Sequence, residues 1–452
     1  MKCLIIAAGQ GRRLSAKGDS KPLIPLLGLS LIERVVLTAN KAGLTDFYVV
    51  TGYNGEKVKR FLDSFSRRRN IKITHITNEE WEKENGISVL KAKNMLKENF
   101  ILMMSDHVFD ESILVKLKDK KIADDEVILV VDYNIKANKL VDVDDATKVI
   151  VKNNKIVDIG KNIKKYNAWD TGIFLCSPAI FSAIEESSDN DEDASLTGGV
   201  RVLAKKGKAK ILDINDGFWI DVDDEEAFKK AEGKLLGALE KPSDGPISRY
   251  LNRPVSTRIS KYLVKTNITP NHISFFSFVL CCIGAFFFFL GEYHYLLLGA
   301  ILAQVSSIVD GCDGEIARLK FQETEFGAWF DAVLDRYADA FLLFGLTYYV
   351  YFPSGDILYL FVGFLAIIGT FMNSYTADKY DGLMKKKIGS KGHYFRMGRD
   401  VRIFIIFVFA ILSTRFLFLG EMVNLPFLAI LLIAILMNAE NMRRMIVLYK
   451  NG

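Results

Sequence analysis

Residues 309–339 read VDGCDGEIARLKFQETEFGAWFDAVLDRYAD, with aspartates at 310, 313, 331, 335 and 339 set between long runs of Phe, Leu, Ile and Val. Ionisable groups in apolar, membrane-length segments are costly and are kept where they serve function. Asp310 and Asp313 are three apart and Asp331 and Asp335 four apart, so each pair shares one helix face. The polar residues 320–325 turn the chain between the two pairs. Two antiparallel helices then bring four carboxylates together near one membrane surface. Four like charges need cations between them, and hard divalent ions take oxygen ligands of this kind.

Working outward, six apolar segments are of membrane-spanning length: 273–290, 295–317, 327–352, 357–377, 401–419 and 425–448. Residues 378–400 carry dense basic charge, including Lys385, Lys386, Lys387, Lys391, Arg396 and Arg399. The connections on the other side (GEYH, PSGD, GEMVN) hold no Lys or Arg. This asymmetry predicts a multi-pass cell-membrane protein with both termini and the N-terminal domain in the cytoplasm. Arg415 is the exception and is expected to snorkel. Upstream, EKPSDGPISRYLNRP (residues 240–254) marks a domain boundary. Residues 247–266 alternate apolar positions with Arg249, Arg253, Arg258, Lys261 and Lys265, the pattern of a helix lying on the lipid surface.

The chain of 452 residues therefore divides into 1–240, a linker with interfacial helix at 241–272, and a membrane domain at 273–452. A net charge of +5, with no basic tract interleaved with aromatics, excludes a nucleic-acid partner. The five cysteines form no CxxC pair, which predicts a reducing compartment and no zinc site. CLIIAA near the start reads as a strand rather than a signal sequence.

The first 240 residues alternate strand and helix patterns. Strands are expected at 2–7, 47–51, 100–104, 127–131 and 209–213, and helices at 30–42 and 56–67. This predicts an α/β domain with a mostly parallel sheet. In LIIAAGQGRRLSAKGDSKPLIPLLG (residues 4–28), a strand runs into Ala8, Gly9 and Gly11, followed by Arg13 and Lys21. Such glycines let backbone N–H groups approach a polyanion, and the cations beside them grip phosphate oxygens. A GxG after a strand would equally suit a dinucleotide fold.

The longer pattern AAGxGxRL…KP resembles the sugar-phosphate nucleotidyltransferases, which have a Rossmann-like α/β fold. The resemblance implies a Mg²⁺ site, with Mn²⁺ as the alternative ion, on Asp106 in ILMMSDHVF and Asp223 in FWIDVDDEEAF, chosen there over Asp221. It implies nucleotide contacts from Asn85 and Gly86, and acceptor contacts from Lys161, Asp170 and Thr171. Arg13 would hold the departing pyrophosphate and Lys21 the α-phosphate. His75 and His107 have no ligand spacing and are read as structural.

The membrane stretch follows Asp-x-x-Asp-Gly-x-x-Ala-Arg, eight residues, Gly-x-x-x-Asp-x-x-x-Asp without departure. This resembles the CDP-alcohol phosphotransferases, an all-α family with six transmembrane helices. ITPN (residues 268–271) also matches that family. The resemblance implies metal on Asp310, Asp313 and Asp331, with Asp335 as general base and accessory ligand. Gly314 would leave room for the nucleotide and Arg318 would neutralise phosphate. Lys379, Arg396, Arg399 and Arg402 form the candidate acceptor-phosphate cluster. Asp339 reads as an accessory group pairing Arg336.

Together the two patterns resemble a family of bifunctional chains that use CTP, inositol-1-phosphate and CDP-inositol, with Mg²⁺, at the lipid bilayer, often as homodimers. Other readings are a phospholipid synthase with a regulatory N-terminal domain, and a transporter.

Overall fold

In the computed structural model, the described residues are 1–135, 142–143, 145–241, 244–388, 398–419 and 424–450, the side chains of 378, 381–388 and 414–419 excepted. The chain forms two compact units, Met1–Leu235 and Leu236–Gly452.

The first unit is built on a nine-stranded sheet in the order β5 (Lys72–Thr77), β4 (Asp46–Thr51), β1 (Lys2–Ala7), β6 (Phe100–Met104), β11 (Ala168–Cys176), β8 (Val127–Asp132), β12 (Ala209–Asp213), β10 (Lys155–Gly160) and β9 (Lys148–Lys152). Two short ribbons pair β2 (Pro25–Leu26) with β3 (Leu29–Ser30), and β7 (His107–Phe109) with β13 (Trp219–Asp221). Helices α1 (Leu31–Lys41), α2 (Gly55–Arg69), α3 (Asn85–Leu90), α4 (Glu111–Lys118), α5 (Ala179–Asp191), α6 (Leu196–Lys205) and α7 (Glu225–Gly237) complete it. The central strands β1, β6 and β8 are nearly continuous apolar runs because both faces are covered; all six residues of β8 are buried. Helix α1 starts at a capping box, Ser30 with Glu33, which satisfies two otherwise free N–H groups.

Only part of the sheet matches the expected parallel arrangement. Strands β5, β4, β1 and β6 run parallel, whereas β11 is antiparallel to both β6 and β8, and β9–β10 is a hairpin. The hairpin turns at Asn153 and Asn154, both left-handed at φ 52° and 58°, the backbone a two-residue turn requires. The parallel part positions the site. The glycine loop follows β1 and Asp106 follows β6, at the carboxyl ends where such sheets bind ligands.

The second unit is helical: α8 (Arg253–Leu263), preceded by a π-turn at Ser248–Asn252, then α9 (Pro270–Phe288), α10 (Tyr293–Leu319), α11 (Glu325–Ser354), α12 (Ile357–Ile388), α13 (Arg399–Leu419) and α14 (Leu425–Lys450). Among the described residues, α9, α10, α14 and residues 357–377 of α12 are long and apolar enough to cross a membrane. On these helices Phe275, Phe361 and Phe364 stand exposed, as aromatics on lipid-facing helices do. Cys281, Ala285, Phe288, Ala300, Ala303, Leu342 and Met437 fill the interior. Helices α9 and α10 meet backbone to backbone. A Cβ at Gly284 would lie 2.8 Å from the Gly299 carbonyl oxygen, and one at Gly299 would lie 2.7 Å from the Phe288 ring.

One expected surface cation is buried. Arg253 donates to Asp244 through Nε (2.9 Å) and Nη2 (3.0 Å), and to Glu315 Oε1 through Nη1 (2.7 Å). Glu315, inside α10, is wholly buried and needs a cation, so Arg253 is drawn inward rather than laid toward lipid headgroups. Lys391, Arg396 and the side chains of Lys385, Lys386, Lys387 and Arg415 lie outside the described residues.

Candidate active sites

In the first unit a cavity of about 710 Å³ opens over the ends of β1 and β6, and Gly9, Gly11, Lys21, Asn85, Asp106 and Asp221 help to line it. Gly11 sits at φ 66°, and a Cβ there would meet Lys21 Cγ at 2.9 Å. This glycine therefore lets the loop close over the lysine. Ala8 is buried, and its carbonyl oxygen accepts from Tyr53 N at 3.0 Å.

Lys21 Nζ lies 2.5 Å from Asp106 Oδ2 and 3.7 Å from Asp221 Oδ1. Arg13 Nη2 lies 2.6 Å from Asp223 Oδ2 and 2.5 Å from Asp145 Oδ2. Lys161 Nζ reaches the other oxygen of Asp145 at 2.5 Å. Burial would raise the Asp106 carboxyl, but Lys21 and His107 outweigh it and hold the group well below the usual carboxylate range. Burial, then neighbouring Asp221, pushes Asp223 up to about 6. Burial also pushes Asp170 up to about 6.

Asp106, His107 and Asp221 each present a donor atom within 4.8 Å of the other two. Asp221 Oδ1 is buried and makes no hydrogen bond. An orphaned carboxylate oxygen beside a second carboxylate fits a divalent cation. The carboxylate in this group is Asp221, whereas Asp223 is turned to Arg13. Thr171 is also placed differently from the expectation. Its hydroxyl donates to the Val130 carbonyl at 2.8 Å and is fully buried, so its side chain belongs to the sheet. Asp170 lines the cavity and accepts from Gly172 N at 2.8 Å. Asn85 Oδ1 accepts from Leu196 N at 2.9 Å, tying α3 to the start of α6. A Cβ on Gly86 would come within 2.8 Å of Ser195 C, which forces glycine there.

In the second unit α10 carries Asp310 and Asp313 and α11 carries Asp331, Asp335 and Asp339. Oxygens of Asp310, Asp313 and Asp331 lie within 4.8 Å of one another, a donor set of hard oxygens that fits a divalent cation. Two serines of α9 hold this cluster. Ser277 Oγ donates to Asp310 Oδ1 at 3.0 Å and Ser274 Oγ donates to Asp313 Oδ2 at 2.5 Å. Arg399 Nη1 lies 3.0 Å from Asp310 Oδ2 and 2.5 Å from Asp335 Oδ1. Arg402 Nη2 lies 2.5 Å from Asp339 Oδ2, and both residues are buried. Asp339 is thus a counter-ion for Arg402, while Arg336 stands farther off at 3.7 Å.

A cavity of about 580 Å³ is lined in part by Asp310, Asp331, Asp335, Arg399, Arg402 and Arg444. Gly314 donates its N–H to Asp313, and a Cβ there would lie 3.2 Å from Arg318 Nη1. Arg318 Nη2 donates to the Leu239 carbonyl at 3.1 Å. Lys379 does not join Arg399 and Arg402. It is exposed, with Nζ 5.4 Å from the Tyr375 ring centre. The sequence reading missed His107, Asp145, Ser274, Ser277 and Arg444. The serines had a signal, since Ser274 and Ser277 repeat the spacing of Asp310 and Asp313.

Residues 3–199 match the family described as MobA-like NTP transferase domain, and residues 267–438 match CDP-alcohol phosphatidyltransferase. The chain is 36% identical over 418 residues to the bifunctional IPC transferase and DIPP synthase of Aquifex aeolicus (strain VF5), covering 91% of this chain and 92% of the relative. It belongs to the bifunctional IPC transferase and DIPP synthase family. The member from Archaeoglobus fulgidus is 32% identical, with 91% of this chain and 79% of the relative covered. A solved inositol-1-phosphate CTP transferase from T. maritima is 25% identical, covers 52% of this chain and 95% of its own, and superposes with a TM-score of 0.46. As a bifunctional IPC transferase and DIPP synthase family member, the chain is a bifunctional transferase. It has a nucleotidyltransferase domain and a helical CDP-alcohol phosphotransferase domain with four candidate membrane helices among the described residues.

Proposed function

We propose that the chain makes CDP-inositol from CTP and inositol-1-phosphate, releasing pyrophosphate, and then joins CDP-inositol to a second inositol-1-phosphate, giving di-inositol-1,3'-phosphate-1-phosphate and CMP. The observation that carries this is the presence of two separate carboxylate clusters in one chain, each set against cations. Each is built for a metal-bound di- or triphosphate, and the product of the first is the donor for the second.

In the first site Asp106 and Asp221 would hold Mg²⁺, with Asp223 available beside Arg13. Bound there, the ion would offset the negative charge that grows on the α-phosphate. Lys21 steadies the same phosphate, and Arg13 holds the leaving pyrophosphate. Lys161, Asp170 and the Gly9–Gly11 backbone orient the acceptor and the nucleotide. This displacement needs alignment and charge neutralisation, and no residue is asked to form a covalent bond.

In the second site Asp310, Asp313 and Asp331 would hold divalent metal against the CDP diphosphate. Asp335 takes the proton of the attacking hydroxyl, and Arg399 and Arg402 seat the acceptor's phosphate. Arg399 releases Asp335 when phosphate arrives, which frees the base at the moment it is needed. Gly314 and Arg318 complete the nucleotide side. All six long helices span the bilayer in this reading, with both termini and the 1–240 domain cytoplasmic. The 241–272 linker lies at the interface and 273–452 in the membrane, where two copies pair.

Product analysis tests the assignment. Membranes holding the full chain are incubated with CTP, Mg²⁺ and labelled inositol-1-phosphate. Label should pass through CDP-inositol into the phosphorylated di-inositol product. Absence of CDP-inositol rejects the first activity; CDP-inositol that accumulates without onward conversion rejects the second.

A further inference from the structure

His107 belongs to neither expected role set, yet three separate features of the first unit seat its ring. Its Nδ1 lies 2.9 Å from Asp106 Oδ1. Its ring lies along Trp219, with centroids 6.2 Å apart and planes 22° apart. Its other edge fills the space left by Gly172, where a Cβ would come 2.6 Å from Nε2; that glycine sits at φ 70°. Trp219 is itself fixed by Asp132 Oδ2, 3.1 Å from its indole Nε1. His107 as a whole is only 8% exposed.

Asp106 has two oxygens with two different partners. Oδ2 faces Lys21 and Oδ1 faces His107. An ionised carboxylate has no proton to give, so Nδ1 carries the hydrogen and donates it. Lys21 is a flexible point charge on a long stem and leaves the carboxylate's rotation undefined. The imidazole is a rigid donor wedged between an indole and a glycine.

We propose that His107 is a positioning residue for the first activity: its Nδ1–H fixes the plane of the Asp106 carboxylate so that this oxygen and the orphaned Oδ1 of Asp221 face one cation. The inference rests on the metal role proposed for Asp106 and Asp221. Partners that orient a ligating carboxylate are commonly worth about 10–100-fold in metal affinity or activity.

The test uses the full-length chain carrying Asp331→Asn, which disables the membrane cluster. Mn²⁺ binding is followed by the paramagnetic resonance signal of the free ion, beside the metal dependence of pyrophosphate release. His107→Phe keeps a ring between Trp219 and Gly172 without the N–H. His107→Asn sets an amide N–H near the position of Nδ1. The phenylalanine variant should weaken Mn²⁺ binding by about 10-fold or more, and raise the metal concentration for half-maximal rate in parallel. The asparagine variant should stay within a few-fold of the parent. Parent-like binding by the phenylalanine variant overturns the proposal, as does equal loss in both variants. If His107 were itself a ligand, both variants would lose affinity and shift preference among Mg²⁺, Mn²⁺ and Co²⁺. If Asp106→Asn and Asp221→Asn bind Mn²⁺ like the parent, the metal site itself is refuted, an outcome distinct from failure of the histidine's role.

Discussion

Ser277 Oγ donates to Asp310 Oδ1 at 3.0 Å across the α9–α10 contact, and Ser274, one turn away, donates to Asp313 Oδ2 at 2.5 Å. Two serines three apart address two aspartates three apart on an antiparallel helix, so each carboxylate has its own donor. Both serines are buried. Ser277→Ala and Ser274→Ala should each lower CDP-inositol consumption by about 10-fold or more while CDP-inositol synthesis is unchanged. Separate assays of pyrophosphate and CMP release read this directly. Equal loss of both activities would instead mark a general folding defect.

Asp335 shares Arg399 Nη1 with the metal-facing Asp310, at 2.5 Å and 3.0 Å. Asp335→Asn should let CDP-inositol accumulate and stop CMP release. Arg13→Ala should do the reverse, with no CDP-inositol made but supplied CDP-inositol still consumed. A time course of both nucleotides in each variant distinguishes the outcomes.

Arg402 and Asp339 form a buried pair at 2.5 Å. Removing one partner leaves a buried charge poorly compensated, a loss of about 3–5 kcal/mol at most. Arg402→Met should therefore lower the unfolding temperature of the detergent-solubilised protein. Asp339→Leu placed in the same chain should recover much of it. A double variant no more stable than Arg402→Met alone would show that the arginine acts through other contacts.

Asp170 is half-buried in the cavity wall, and its carboxyl is pushed up to about 6. Its pKa in the fold lies above that in the unfolded chain, so ionising it costs the folded state. The cost is absent below the unfolded pKa of about 4, grows between there and 6, and is complete above 6. Asp170→Asn keeps an oxygen for the Gly172 N–H and removes the charge. It should raise thermal stability at pH 8, by about 1–3 kcal/mol from the size of the shift, and give little gain at pH 4. Thermal melts of the full chain at the two pH values measure the difference.

The membrane half was legible because its signals are local. Apolar runs of fixed length place the helices, and aspartates three and four apart converge on facing helices whatever the surrounding detail. The first half was legible where a strand runs into a glycine loop or an aspartate, as at Gly9–Gly11 and Asp106. What escaped depends on contacts far apart in sequence. Whether Asp221 or Asp223 joins Asp106 is decided by the β7–β13 ribbon, which pairs Asp221 with His107. Whether Arg253 meets lipid or protein is decided by a buried glutamate 62 residues away. Thr171 and Asp170 are neighbours, and strand alternation sends one into the sheet and the other into the cavity. The Asn153–Asn154 turn was a readable hairpin signal, and reading it would have revealed the antiparallel edge.

The glycines where α9 crosses α10 have a consequence at a distance. Gly299 precedes Asp310 by eleven residues on the same helix, about 16 Å at 1.5 Å per residue. The two helices touch along their length, from the backbone contact at Gly284 and Gly299 to Ser277 beside Asp310. A methyl group inserted at either glycine would wedge the pair apart and lift Ser277 from Asp310. The spacing between ligands for an ion is thus gauged by the thickness of a residue that has no side chain, about three helical turns from the aspartates it sets.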